Sequence, residues 1–423
     1  MMKVATAIVG CGNVAAFYCN AIRRHPILEF AGVVDRNPER SELYASYYST
    51  RKYNALEDVL NDPNVEMIIN LTNPRSHFDV SKAALEAGKH VYSEKPLGMS
   101  FHEAQELVRM AEKKGLVIAS APSRILAETA QTMWKALREN AIGKVHAAYA
   151  EMDGGLICRT RYKEWTNELG IHWPYYDEFA VGCTIEHAGY PVSWLSAFFG
   201  PVDTVTACAT RQVLEPGCKI DSEVWPPDLT VACLKFKSGV LARLTSSWIA
   251  ASDHSMRIFG DTGILSTDDI WRPRSPVRIT RSKSVNLGPK TIILPWKTKY
   301  PLAKPPKETR SIGNILSSPG SIIKSLRCRL HHLRKRVDFC IGPAEVATSI
   351  REGRPCKLSP EYCLHNTEIV LAIHNSLASG THYKVATTFD PMEPLSWALS
   401  QRTNEIRPNH IGKKRRILHP QNA

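Results

Sequence analysis

Val4-Ala5-Thr6-Ala7-Ile8-Val9 runs directly into Gly10-Cys11-Gly12-Asn13-Val14-Ala15, a G-x-G-x-x-A spacing at the point where a strand pattern gives way to a helix pattern. Each small residue has a mechanical reason. Gly10 makes the tight turn, Gly12 lets the backbone approach a pyrophosphate, and Ala15 permits close helix packing. A helix N-terminus opening on such a loop favours an anion, so Gly10, Gly12, Asn13 and Val14 are candidate cofactor residues. Asp35 follows 20 residues after Ala15, at the end of a second strand pattern, Phe30–Val34. A carboxylate there accepts hydrogen bonds from ribose hydroxyls and repels a 2′-phosphate, which points to NAD. Arg36 beside it either stacks on adenine or accommodates a phosphate, and so keeps NADP open. The alternative for a glycine loop alone is a tight turn that binds nothing.

The same texture continues for about 120 residues. Strands are predicted at Val4–Val9, Phe30–Val34, Glu66–Leu71, His90–Tyr92 and Val117–Ala119, with helices at Asn13–Arg24, Leu56–Leu60, His77–Ala87 and Phe101–Lys114. Asn54 and Ser100 stand where N-caps are expected. Alternation of this kind builds an α/β layer around a doubly wound parallel sheet, a Rossmann domain assigned to residues 1–122. After Pro122 come a helix around Thr129–Asn140 and a strand around Val145–Met152. Leu229–Phe236 with Val240–Trp248, and Met256–Phe259 with Ile264–Ser266, then read as antiparallel hairpins. An α+β domain on an open, largely antiparallel sheet is therefore expected over 123–385, closed by helices at Val337–Arg351 and Pro360–Ser379, with 403–423 a disordered basic tail.

A chain of 423 residues is too long for one hydrophobic core. Its 43% hydrophobic and 22% charged residues are those of a globular protein. No run approaches the roughly 18 apolar residues of a membrane span. The first residues read as a strand instead of a signal peptide, so a cytoplasmic location is expected. Eleven cysteines without regular spacing argue against a disulfide framework or a metal site, and those in apolar runs, such as Cys233, are expected to be buried filler. The net charge of +13 is local: Trp271–Arg336 holds 17 Lys and Arg against one acid, Glu308. Residues 283–335 look like an interruption broken by Pro301, Pro305 and Pro306, with a basic amphipathic pattern from Ser321. That pattern suits either a helix docked on its own domain or one resting on an anionic membrane; attraction of diphosphate-linked sugars is a further use for the charge. Nucleic acid ranks last, since no recognition motif accompanies the charge.

Ala87-Gly88-Lys89-His90-Val91-Tyr92-Ser93-Glu94-Lys95-Pro96, downstream of the glycine loop, makes a resemblance specific. The chain resembles the Gfo/Idh/MocA oxidoreductases, the glucose-fructose oxidoreductase and inositol dehydrogenase family, closely over about 125 residues and more loosely to about residue 385. Thr72-Asn73-Pro74 and His77 stand where that family has a loop against the nicotinamide. The resemblance implies that Lys95 lies beside the nicotinamide and the reacting carbon, oriented by Glu94. Chemistry agrees, because oxidising a secondary alcohol removes a proton from oxygen as hydride leaves carbon, and a lysine with a pKa lowered by burial or by a cationic ring accepts that proton near neutral pH. A surface ion pair between Lys95 and Glu94 is the bland alternative.

Gly182–Trp194 resembles the family's D-x-G-x-H segment but departs from it: the aspartate position reads Glu186 and the histidine Tyr190. A tyrosine hydroxyl still hydrogen-bonds or relays a proton, though with a pKa of about 10 it is a weaker base. Tyr190 packed in the core is the alternative, and His187 is a second candidate for the lost imidazole. Arg124 and the aromatic stretch Trp165–Phe179, containing Trp173, Tyr175, Tyr176 and Asp177, are substrate candidates, the stretch reading as a carbohydrate lid, a packed loop or a dimer contact. The expected activity is hydride transfer between NAD and a hydroxyl carbon of a sugar, cyclitol or nucleotide sugar. Its rivals are NAD-assisted glycoside cleavage and a non-catalytic NAD or sugar sensor. The resemblance also implies a homo-oligomer, dimer or tetramer, paired through the outer face of the second sheet.

Overall fold

The computed structural model describes residues 2–213, 226–287, 290–304, 337–377 and 381–399. Strands β1 (Val4–Val9), β2 (Leu28–Val34), β3 (Met67–Asn70), β4 (His90–Ser93) and β5 (Ile118–Ser120) form a parallel sheet in the order β2-β1-β3-β4-β5. Their residues are apolar and mostly buried because helices cover both faces. Register decides what this sheet presents. Val9 lies opposite both Val34 and Asn70, and Asn70 lies opposite Ser93. Gly10, Asp35, Leu71 and Glu94 therefore leave the sheet along one edge, where the strand order reverses at β1 and ligands of such sheets bind.

Helices α1 (Ala15–Ile22), α3 (Leu56–Asn61), α4 (His77–Glu86), α5 (Phe101–Lys114) and α6 (Glu128–Arg138) fall where the apolar periodicity places them. Ser100 caps α5 through a capping box with Glu103, and Gly115 ends it at φ 64°. Asn54 is not the cap of α3: the chain turns one residue later, at Ala55, whose amide donates to Asp58. Helix α2 (Pro38–Tyr48) is absent from the sequence reading, yet Asn37 accepts from the amides of Glu39 and Arg40 and Pro38 holds the first position. Its buried face, Ser41, Tyr44, Ala45 and Tyr48, has helical spacing.

Nine strands form the second sheet: β6 (Val145–Asp153), β7 (Val202–Thr210), β8 (Leu229–Phe236), β9 (Leu241–Ser247), β10 (Met256–Gly260), β11 (Gly263–Thr267), β12 (Val277–Leu287), β13 (Lys290–Tyr300) and β14 (Thr381–Lys384). Their order is β13-β12-β11-β10-β6-β9-β8-β7-β14, antiparallel throughout except for the β6–β9 pair. Both expected hairpins are present. Cys233 is exposed, contrary to its reading as filler, because Thr230, Ala232, Leu234 and Phe236 take the inner face of β8 and leave the alternate positions outside. The expected interruption also begins differently. Residues 283–287 and 290–300 continue the ladder from Val277 opposite Tyr300 to Leu287 opposite Lys290. Pro295 is tolerated because β13 is an edge strand. The basic amphipathic stretch from Ser321 and the tail at 403–423 lie outside the described residues. Among the described residues no helix is long and apolar enough to cross a membrane.

The chain closes by returning to the first sheet. Helix Ile341–Glu352 brings Gly342 against Tyr92, and Arg351 bonds the carbonyl of Met2. Helix Pro360–His374 bridges to the second, where His365 Nε2 accepts from the Val202 amide at 2.9 Å.

Candidate active site

A cavity of about 920 Å³ runs from the glycine loop to residues of the second sheet's helical layer. Gly10, at φ +100°, is where an added Cβ would stand 2.6 Å from Leu71 O, so only glycine makes this turn. At Gly12 a Cβ would meet nothing within 4 Å, which leaves an open cradle for a ligand's backbone-hugging atoms. The Tyr44 hydroxyl donates to Gly12 O at 2.6 Å and holds the loop. Val14 caps α1 without a side-chain hydrogen bond, so the first amides of that helix are available to an anion. These features fit a dinucleotide pyrophosphate. Asp35 lines the same end, its Oδ2 accepting from the Cys11 amide at 2.6 Å and its Oδ1 from Asn37 at 2.8 Å, with Arg36 and Arg40 exposed beside it.

At the other end Lys95, Glu94, Glu178, Glu186, His187 and Tyr190 line the cavity. The Lys95 ammonium is ion-paired with Glu186, both side chains nearly enclosed at 16% and 9% exposure. Glu94 was expected to orient this ammonium. Instead it accepts from the Tyr18 hydroxyl at 2.7 Å and from the Lys95 backbone amide at 3.0 Å, fixing the loop and leaving the charge to Glu186. Burial by itself would lower the Lys95 pKa, as expected from sequence, but the Glu186 carboxylate, with the acidic groups around it, outweighs it and holds the ammonium well above its ordinary value. Burial likewise works to raise Glu186, and Lys95 outweighs it, so Glu186 stays ionised. Glu178, within hydrogen-bonding reach of Glu186, is pushed far up by burial and then by that neighbouring charge.

His77 lines the cavity, but both ring nitrogens face carbonyls, Pro96 O at 2.8 Å and Thr72 O at 3.0 Å. It staples the Thr72-Asn73 loop to the Lys95 loop. Asn73 caps the short turn that follows, and Thr72 donates to Asn70 Oδ1 at 2.7 Å. Burial drives the His187 pKa down to about 4; its Nδ1 accepts from Trp248 Nε1 at 3.3 Å, which places the proton of the neutral ring on Nε2. Tyr190 packs against Trp271 with ring centroids 4.6 Å apart and the planes tilted by 31°. Burial pushes its hydroxyl up to about 12, and that hydroxyl has no hydrogen-bond partner among the described residues.

Of the substrate candidates, Trp173 and His187 line the cavity, whereas Arg124, Trp165 and Tyr176 do not. Arg124 is 7% exposed and lies behind the wall, its guanidinium 5.4–5.9 Å from the rings of Phe339, Trp271 and Tyr190. It supports the aromatic wall. Trp165 and Tyr176 are 43% and 42% exposed. The segment between Trp165 and Pro174 crosses to the first domain: Asn13 Nδ2 donates to Ile171 O at 2.8 Å, Asn167 Nδ2 to Asn13 O at 3.1 Å and to the Tyr44 hydroxyl at 2.9 Å. It lies over the glycine loop, not over the Lys95 end alone. Sequence reasoning missed Tyr44, Arg40, Glu178, Trp248, Trp271 and Phe339. Only Tyr44 and Arg40 had a signal, the unread α2.

Residues 4–121 match the oxidoreductase family with an NAD-binding Rossmann fold, and residues 130–266 match the GFO/IDH/MocA C-terminal domain. The chain is 25% identical over 275 residues to trans-1,2-dihydrobenzene-1,2-diol dehydrogenase of Mus musculus, covering 64% of this chain and 77% of that protein. In fold it is similar to an NAD-binding oxidoreductase of Klebsiella pneumoniae (TM-score 0.68, 20% identity, 91% of this chain and 100% of that one). It is also similar to the WlbA dehydrogenase of Bordetella pertussis, solved with NADH and UDP-GlcNAcA (TM-score 0.65, 17% identity, 90% and 98%).

Proposed function

From a chain that belongs to the Gfo/Idh/MocA oxidoreductases and binds a nicotinamide dinucleotide, we propose an enzyme that moves hydride between that dinucleotide and the hydroxyl-bearing carbon of a sugar, cyclitol or nucleotide-linked sugar, with Lys95 exchanging the hydroxyl proton. One observation carries this reading: Lys95, Glu186 and Tyr190 meet at one end of a cavity whose other end is the glycine loop. The ring diol in the mouse relative's name and the UDP-linked sugar of the Bordetella complex are consistent with a substrate bearing ring hydroxyls.

A bound nicotinamide supplies or accepts the hydride. The protein's part is to hold the substrate oxygen and manage its proton. Lys95, kept charged by Glu186, donates to that oxygen and stabilises the alkoxide character that develops in either direction. Tyr190, protonated at neutral pH, is a second donor. Trp173, Trp248, Trp271 and Phe339 wall the space with apolar faces that suit the faces of a sugar ring. In reduction Lys95 already carries the proton to be given; in oxidation it must first pass one on to a carboxylate. The same reading carries a homo-oligomer formed through the outer sheet face, where Tyr149, Val231 and Leu241 are exposed.

Titration with NADH and NADPH, followed by assay against a panel of sugars, cyclitols and nucleotide sugars, tests the reading. Lys95→Met should keep dinucleotide binding and lose about 10²–10⁴ of turnover; unchanged turnover removes Lys95 from the chemistry.

A further inference from the structure

Glu178 has no task in the mechanism so far, yet it lines the cavity within hydrogen-bonding reach of Glu186. Eight positions along an unbroken α-helix are about 12 Å of rise, too far for the two carboxyls to meet. The helix α7 (Tyr175–Cys183) is not unbroken. Gly182 sits at φ 81°, ψ 166°, and the chain resumes as a π-helical turn, Thr184–Ala188. A Cβ at Gly182 would stand 2.6 Å from Pro226 Cβ and 2.9 Å from Pro227 O, so the break is a place only glycine fits. It brings the two carboxyls together beside one ammonium.

Two neighbouring carboxyls lining one cavity cannot both ionise at low cost, and they share a proton. The ion pair with Lys95 selects Glu186 as the charged member and leaves the proton on Glu178. Charged or titratable groups around them are Glu94 and Lys95 from the first domain, Asp177 from α7, His187 from the π turn and Tyr190 from α8 (Gly189–Phe199). With Lys95 positive, Glu186 negative and Glu178 neutral, the trio carries no net charge.

We propose that Glu178 and Glu186 form a one-proton carboxyl pair whose proton is linked to the charge of the ring bound beside Lys95: a cationic pyridinium releases it and a neutral dihydropyridine takes it back. The proposal rests on the reading of the Lys95 end as the nicotinamide site. In alcohol oxidation the substrate C–H bond breaks and its electron pair leaves with the hydrogen as hydride to the dinucleotide. The O–H proton passes to Lys95 as Lys95 hands one of its own to the carboxyl pair, and a carbonyl remains. The ring loses one positive charge as the pair gains one proton, so the charge of the enclosed site is constant through the reaction.

Calorimetric titration of the full chain with NAD⁺ and with NADH, each in two buffers of different ionisation enthalpy, counts the protons released. NAD⁺ should release close to one proton more than NADH, and by linkage NAD⁺ affinity relative to NADH should rise by up to about tenfold per pH unit. Glu178→Gln keeps the shape and a hydrogen bond to Glu186 but has no proton to give; it should still bind NADH, with the difference between the two dinucleotides gone. Equal proton counts in the wild type overturn the proposal. So does an undiminished difference in the variant, which would assign the proton to Lys95 itself. If the variant does not fold, the wild-type affinity ratio decides, a ratio independent of pH overturning the proposal. Unchanged turnover in Lys95→Met would remove the role of Lys95 and leave this proton count standing, whereas binding of neither dinucleotide would end both.

Discussion

Asp35 and Arg36 stand side by side and pull the dinucleotide preference in opposite directions. In the structure Asp35 is spent largely on the backbone, accepting from the amides of Cys11 and Asn37. Arg36 and Arg40 line the cavity beside it, exposed, and their guanidinium groups have no hydrogen bond or ion pair among the described residues. Two free guanidinium groups suit a 2′-phosphate, and a charge-assisted hydrogen bond of this kind contributes about 1.5–3 kcal/mol. Replacing both, Arg36→Ala with Arg40→Ala, should weaken NADPH at least tenfold in low salt and leave NADH within about threefold, read by fluorescence titration. Equal losses would mean that the pair serves a part common to both dinucleotides. Asp35 was legible because it ends a strand after a glycine loop. Arg40 was not, since its place depends on α2 curling back toward that loop.

Within the aromatic stretch Trp165–Phe179, whose composition suits a carbohydrate lid, a packed loop or a dimer contact, the chain makes a strap between Trp165 and Pro174. Its hydrogen bonds tie it to the glycine loop, while Trp173 lines the cavity. Asn167 reaches Asn13 O and the Tyr44 hydroxyl, and its own Oδ1 accepts from the amides of Leu169 and Ile171, so one side chain both shapes the strap and ties it to the dinucleotide loop. Asn167→Ala should loosen this clasp and speed release of NADH about tenfold in stopped-flow fluorescence, with a smaller change in melting temperature. An unchanged rate would show that the strap does not gate the cleft. Two other elements show where periodicity misleads. Helix α2 has a low-contrast polar surface but a clear Asn37-Pro38 start. The β12–β13 ladder looked like an interruption because Pro301, Pro305 and Pro306, which follow it, and the basic charge were read as belonging to one segment with residues 283–300.

Across the whole molecule, burial holds His187, His365 and His374 each down to about 4. The unfolded chain takes up protons on these rings at about pH 6.5, so between about 6.5 and about 4 it binds more protons than the native state. Stability therefore rises with pH through that window and is lost on acidification, by at most about 1.4 kcal/mol per pH unit for each ring. Urea midpoints should be clearly lower at pH 5 than at pH 7, and His374→Leu should reduce the difference; equal midpoints would contradict this balance. The carboxylates held low by partners, such as Asp269 and Asp338, lose their contribution further into acid. Local pattern alone determined the parallel sheet with its glycine loop and the second, largely antiparallel sheet, because each is carried by residues adjacent in the chain or repeated at strand and helix periods. Tertiary structure decided that Glu186, 91 residues away, and not the adjacent Glu94, pairs with Lys95. It also decided that Glu178 joins that pair and that Arg124 stands behind the aromatic wall. Those contacts hang on a helix broken at one glycine and on the docking of two sheets, and spacing along a chain carries no record of either.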